Sequence, residues 1–184
     1  MTAFRRSLSR EAGSSLIEVL IAILVLSFGM LGLSGMLAFA VQAPKLSGNR
    51  ATAANLASSH VERIRANPAG FSGGNYAKPL TYDETFNSIS VTACAYPNCT
   101  VSSLADMDHG ETARAIRLAL PAGGMLMSCD PSPCNETSYG NLWVIWQEPA
   151  TSATLSGANS DNCPAAVASF VNPVPRCLYV RFKP

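Results

Sequence analysis

Apolar positions follow three different rhythms along this chain. From Val19 to Val41 the run is interrupted by small residues and by Ser27 and Ser34, but by no charge. As a helix it would be about 35 Å long at 1.5 Å per residue, enough to cross a hydrocarbon core of about 30 Å. Beyond it the rhythm changes. Ala53, Ala57, Val61 and Ile64 recur at three- and four-residue steps while Arg50, Asn55, Glu62 and Arg63 fall elsewhere, which describes an amphipathic helix in need of an apolar partner. Pro44 stands at the join and is expected to bend it. Asn67-Pro68 and then Gly70, Gly73 and Gly74 end the pattern, so the whole helix, if continuous, would run to about 80 Å.

The third rhythm is that of short strands. Ser88 to Thr92 alternates, and Leu142 to Trp146 and Cys177 to Phe182 cluster aromatic and β-branched residues; all three read as strands. Between the first and second, Glu111 to Leu120 reads as a helix stopped by Pro121 and Gly123-Gly124. Trp143 and Trp146 alternate with Val144 and Ile145, so one face of their strand is expected in the core. The expected fold class is α+β: a long N-terminal helix packed on a small antiparallel β-sheet. Its segments are a leader over residues 1–13, a transmembrane helix over 14–43, an amphipathic continuation over 44–67 and a β-rich globular domain over 68–184.

Composition narrows the setting. The charged fraction is low at 14% and the net charge is +1, with no Lys/Arg-rich run after residue 13, which argues against a nucleic-acid surface built on bulk charge. Arg5, Arg6 and Arg10 against Glu11 hold the leader in the cytoplasm by the positive-inside rule, placing residues beyond the apolar run in the periplasm. Six cysteines, Cys94, Cys99, Cys129, Cys134, Cys163 and Cys177, fit disulfides formed in an oxidising compartment. Six cysteines allow fifteen pairings, and pairing each with its nearest neighbour (Cys94 with Cys99, Cys129 with Cys134, Cys163 with Cys177) rests on proximity alone. Zinc is the rival for the first two pairs, but with two histidines and loose spacing it is disfavoured.

Glu18 stands out at the mouth of the apolar run. A carboxylate deep in a bilayer costs about 2.5 to 3.5 kcal/mol even on a lenient scale, so such a residue usually has a partner and a role. No basic residue follows it until Lys45. A cut after Gly13 would create one nearby, because the freed α-amine of Ser14, with a reference pKa of about 7.7 to 8.0, would be mostly protonated at neutral pH. That amine pairs with Glu18 of its own chain, or with Glu18 of a neighbouring copy and so fixes how far one helix slides along the next.

These residues carry a resemblance. Gly13-Ser14-Ser15-Leu16-Ile17-Glu18 followed by Val19 to Ser27 resembles the class III signal of type IV pilins and of type II secretion pseudopilins. The resemblance implies cleavage by prepilin peptidase after Gly13, N-methylation of Ser14 and a subunit-registry role for Glu18. Ser14 departs from the family's usual Phe or Met at that position. Gly29-Met30-Leu31-Gly32-Leu33-Ser34-Gly35 and Glu62-Arg63-Ile64-Arg65-Ala66-Asn67-Pro68 are similar to PilV-type minor pilins, the type IV pilus modification proteins. The likeness implies a type IV pilin fold and a minor pilin that helps start assembly at the pilus tip. Its partners would be other minor pilins, the major pilin, prepilin peptidase and a tip adhesin, after residence in the inner membrane. The rival readings are a minor pseudopilin of a type II secretion system and a membrane-anchored periplasmic binding module.

Other chemistry is scarce. Asp106-Met107-Asp108-His109-Gly110-Glu111 lacks the spacing of a calcium loop and reads as a polar turn leading into the acidic first turn of the next helix. His60 lies near the end of the long helix, packed or facing solvent. No nucleophile elbow, zinc-protease motif or phosphate-binding loop is present, so no catalysis, metal or cofactor is expected. The segment between Cys163 and Cys177 matches in position the C-terminal disulfide loop of pilins, either a contact surface or a staple. The glycines at 29, 32 and 35 permit close helix packing or local extension, or reflect the general frequency of glycine in membrane helices.

Overall fold

A computed structural model describes residues 15–95, 97–148, 161–171 and 173–184. The chain divides into two units between Ala43 and Pro44. Helix α1, Leu16–Ala66, contributes its first part to one and its second part to the other. Helical backbone continues through Pro44, although proline supplies no N–H to the preceding turn.

The second unit is built around the later part of α1. A short helix α2 (Pro68–Ser72) follows at once: Pro68 occupies its first turn, where no N–H is needed, and Asn67 caps it by accepting from the Gly70 amide at 3.2 Å. Helix α3 spans Val101–Ala119. Three strands complete the unit: β1 (Gly124–Asp130), β2 (Tyr139–Trp146) and β3 (Arg176–Phe182), antiparallel in the order β1-β2-β3. A single turn of 3₁₀ helix at Ala165–Val167 precedes β3. The observed fold is thus a long N-terminal helix with a three-stranded antiparallel sheet, the α+β class expected.

Register decides which residues meet the helices. Met125 stands opposite Val144, and Leu142 opposite Val180. With Met127, Trp146 and Phe182 they form the inner face, which joins Ala53, Ala57, Val61 and Ile64 of α1 and Ala105, Ala113 and Ile116 of α3 in one core. Gly140 lies under the Phe182 ring, where a Cβ would meet the ring atoms and require the ring to shift. The opposite face carries a smaller cluster of Tyr82, Ala122, Ile145, Val167 and Cys177. Trp146 is fully buried; Trp143 is only partly so and donates to the Asn162 carbonyl at 2.9 Å.

Three expectations need correction. Helix α3 begins ten residues before Glu111, because Thr100 and Ser103 form a reciprocal cap: the Thr100 hydroxyl accepts from the Ser103 amide and the Ser103 hydroxyl from the Thr100 amide, at 3.1 and 2.8 Å. Ser88 to Thr92 is not a strand. The edge of β1 is taken instead by the chain around Lys78 and Thr81, and the Arg117 guanidinium holds the carbonyls of Thr81, Thr85 and Asn87, so the passing segment has no ladder to join. Gly123-Gly124 does not simply end a helix: Gly124 opens β1, where its lack of a Cβ lets it pack against the Tyr82 backbone.

Candidate functional site

In its first unit α1 buries nothing. Leu16 is 89% exposed, and Ile17, Leu20, Leu24, Phe28, Leu31, Leu37 and Val41 are all more than half exposed. Serine does not dilute this surface: the Ser27 and Ser34 hydroxyls donate back to the carbonyls of Ile23 and Met30 at 2.7 and 2.8 Å, hiding their polarity within the helix. Gly29, Gly32 and Gly35 face open space, with nothing within 4 Å of an added Cβ. The helix is long and apolar enough to cross a membrane. Burying each large side chain is worth on the order of 1.5–3 kcal/mol, so whatever covers this helix gains tens of kcal/mol in all.

Glu18 is the one ionisable residue between Ser15 and Pro44. It lies in the first turn of α1, exposed, with its amide donating to the Ser15 carbonyl at 2.9 Å. A carboxylate there faces the positive end of the helix dipole. Gly13 and Ser14, the expected cleavage and methylation positions, lie outside the described residues. Val19 to Val41, the expected transmembrane run, is helical throughout and exposed.

The second unit holds buried polar groups that no sequence pattern marks. His60, on the core-facing stripe of α1, is fully buried and shares a 2.9 Å hydrogen bond with the Thr112 hydroxyl of α3. Burial, reinforced by nearby His109 and Arg63, pushes its pKa down to about 3, so the ring is neutral at ordinary pH. Burial also lowers that of His109, 6.4 Å away between ring centres. Tyr76 donates to Asp108 at 2.6 Å, and Arg63 reaches both Asp108 at 3.1 Å and Glu111 at 2.6 Å. Asp106 pairs with Lys78. The acidic segment 106–111 is therefore the middle of α3 and its carboxylates are engaged by cations and a phenol; among the described residues no group of three or more His, Cys, Asp or Glu is placed to hold a metal.

All six cysteines are bridged: Cys94 to Cys99, Cys129 to Cys134 and Cys163 to Cys177. The last bridge carries Val167 and Phe170 onto the outer sheet face, with Phe170 edge-on to Tyr82 at 5.0 Å. Within the loop, next to Cys177, Arg176 is buried with Asp161 at 2.6 Å and Glu148 at 3.7 Å, both of which precede Cys163, while Arg50 of α1 reaches Asp161 at 2.9 Å. The loop is tied to the sheet covalently and to α1 electrostatically.

Against known proteins, residues 8–34 match the family model of the prokaryotic N-terminal methylation motif, and residues 35–110 match that of type IV pilin Tt1218. Together the matches run without a gap from the leader into α3, over more than half of the chain. The chain belongs to the type IV pilins. No curated protein and no solved structure matches it. Membership accounts for the apolar half-helix, because pilins are structural subunits that assemble with one another through such helices after processing by a prepilin peptidase. The methylation motif contains Gly13, Ser14 and Glu18, and the pilin match extends through the capped start of α3 while leaving the sheet and the C-terminal disulfide loop of this pilin outside it.

Proposed function

We propose that this pilin is a minor, PilV-type subunit that helps initiate a type IV pilus at its tip together with other minor pilins, and that it contacts the major pilin and a tip adhesin. On this reading the precursor sits in the inner membrane through Val19 to Val41 with its second unit in the periplasm. Prepilin peptidase cuts after Gly13 and the new N-terminus at Ser14 is methylated. The likeness of residues 29–35 and 62–68 to PilV-type pilins supports the minor role.

The observation that carries the proposal is the isolation of Glu18 on an otherwise uncharged, exposed half-helix. Leaving the bilayer sacrifices apolar burial there, and assembly restores it against other pilin helices. Glu18 adds little net energy, since desolvating an ion pair offsets its attraction, but it supplies registry: its partner is the Ser14 amine of the adjoining subunit. That amine does not exist before the leader is removed, so processing enables assembly.

Mass spectrometry of the protein from pilus and membrane fractions tests this directly. The expected chain begins at a methylated Ser14, and Glu18→Ala leaves it processed but reduces its recovery in sheared pili at least tenfold. An intact Met1 terminus, or a cut beyond Val41, overturns the reading. Pili retained with loss of exoprotein secretion in a deletion strain would assign the protein to a type II secretion system instead.

A further inference from the structure

The sequence contains two Asn-Xaa-Thr acceptor patterns, Asn98-Cys99-Thr100 and Asn135-Glu136-Thr137. A carbohydrate can be joined to such an asparagine when the amide is accessible and the hydroxyl two residues on is available to the transferase. The fold treats the two patterns differently. In the first, Cys99 is locked in a disulfide with Cys94 and the Thr100 hydroxyl caps α3 through the Ser103 amide, so the hydroxyl is committed to holding a helix.

In the second, all three residues are exposed in the loop joining β1 to β2. The Asn135 side-chain oxygen accepts from the Thr137 amide at 2.8 Å and from the Thr137 hydroxyl at 2.6 Å. Both donors polarise the carboxamide in the sense that makes its nitrogen more acidic, and that nitrogen has only a long, solvent-exposed 3.3 Å contact with the Pro133 carbonyl. The structural demands of the turn fall on neighbours instead: buried Ser138 accepts from the Asn135 amide and donates to the Pro131 carbonyl. Among the described residues, the Asn135 and Thr137 side chains hydrogen-bond only within this turn.

We propose that Asn135 is an N-glycosylation site. The donor is a lipid diphosphate-linked oligosaccharide, and the enzyme is a transferase that reads Asn-Xaa-Thr without requiring an acid two residues earlier, where this chain has Pro133. The Asn135 Nδ2 attacks the anomeric carbon of the sugar, forming an N–C bond. The bond from that carbon to the diphosphate oxygen breaks, the lipid diphosphate leaves with the electron pair, and the amide proton passes to a base of the transferase. A glycan there would stand off the turn at one end of the sheet.

The test is peptide mapping by mass spectrometry of the full protein purified from the cells that encode it. A hexose-containing increment on the Asn135 peptide, absent in Asn135→Gln and Thr137→Ala but kept in Thr137→Ser and Asn98→Gln, is the expected result. An Asn135 peptide of unmodified mass in wild-type protein overturns the proposal, as does a glycan confined to Asn98. Thr137→Ser guards against misfolding as an explanation, since it keeps the hydroxyl and must keep the sugar. The readout does not depend on whether the subunit reaches a pilus.

Discussion

Helix α1 is one continuous element with two kinds of surface. Before Pro44 its large apolar side chains point in every direction and none is buried; after it, a single stripe of Ala53, Ala57, His60, Val61 and Ile64 is buried, with Leu56 packed beside it, and Arg50, Glu62, Arg63 and Arg65 lie off the stripe. Backbone hydrogen bonding is the same in both. The difference lies in who covers the helix. A uniformly apolar helix leaves its cover to lipid or to other chains, whereas a striped helix with alanines at closest approach is shaped for one fixed partner, here α3 and the sheet.

The largest expected effect separates the two halves by the same chemical change. Ile64→Ala removes methyl groups from a fully buried position and should cost about 2–5 kcal/mol, lowering the melting temperature of the detergent-solubilised protein by roughly 5–15 °C. Leu24→Ala, at a position 51% exposed, should leave that temperature within about 1 °C. Equal shifts in the two variants would mean that the halves share one cooperative core, and the contrast between them would fail.

How much of this was legible depends on the range over which each signal acts. Residues 16–66 were readable because the information is local: an unbroken apolar run and then a 3.6-residue stripe ending at Asn67-Pro68. Strands β2 and β3 declared themselves through Trp143 to Trp146 and Leu178 to Phe182. Strand β1 did not, because its methionines carry no strong strand preference and its Gly124 is explained only by the approach of Tyr82. The start of α3 was hidden because serine, not glutamate, closes the cap at Ser103. Glu18 was visible as an isolated charge, but the burial of His60 depends on Thr112, 52 residues away, and no local pattern reports it.

Acidification offers the second test, acting on the later half of α1. His60 titrates near 6.5 when unfolded and at about 3 in the fold, so the unfolded chain binds more protons between those values. Its contribution is therefore fully present above pH 6.5 and is lost as pH falls toward 3; at pH 5 the loss is about 2 kcal/mol. The lowered pKa of His109 acts in the same direction. Groups facing the pair include Arg63 on α1 and Lys78, which oppose a further positive charge, and Asp106, which favours protonation of His109. Melting curves at pH 7.5 and pH 5 should differ by several degrees in the wild type and by clearly less in His60→Gln, whose amide can still meet Thr112. An undiminished pH dependence in that variant would remove His60 from the account.

Pro44 gives the smallest and most discriminating effect. Proline inside a helix costs about 3 kcal/mol, through the missing hydrogen bond and a clash with the preceding turn. Its side chain is exposed and belongs to neither core cluster. If the stability of the second unit is set by its own packing, Pro44→Ala should move the melting temperature by no more than about 1–2 °C, while hydrogen exchange slows at the amides around residues 41–47. If α1 instead melts as a single cooperative rod with the core, relief of that penalty should raise the melting temperature by roughly 6–12 °C. The change touches only the boundary, so either outcome reports on whether the lipid- or partner-covered half and the core-covered half are energetically separate.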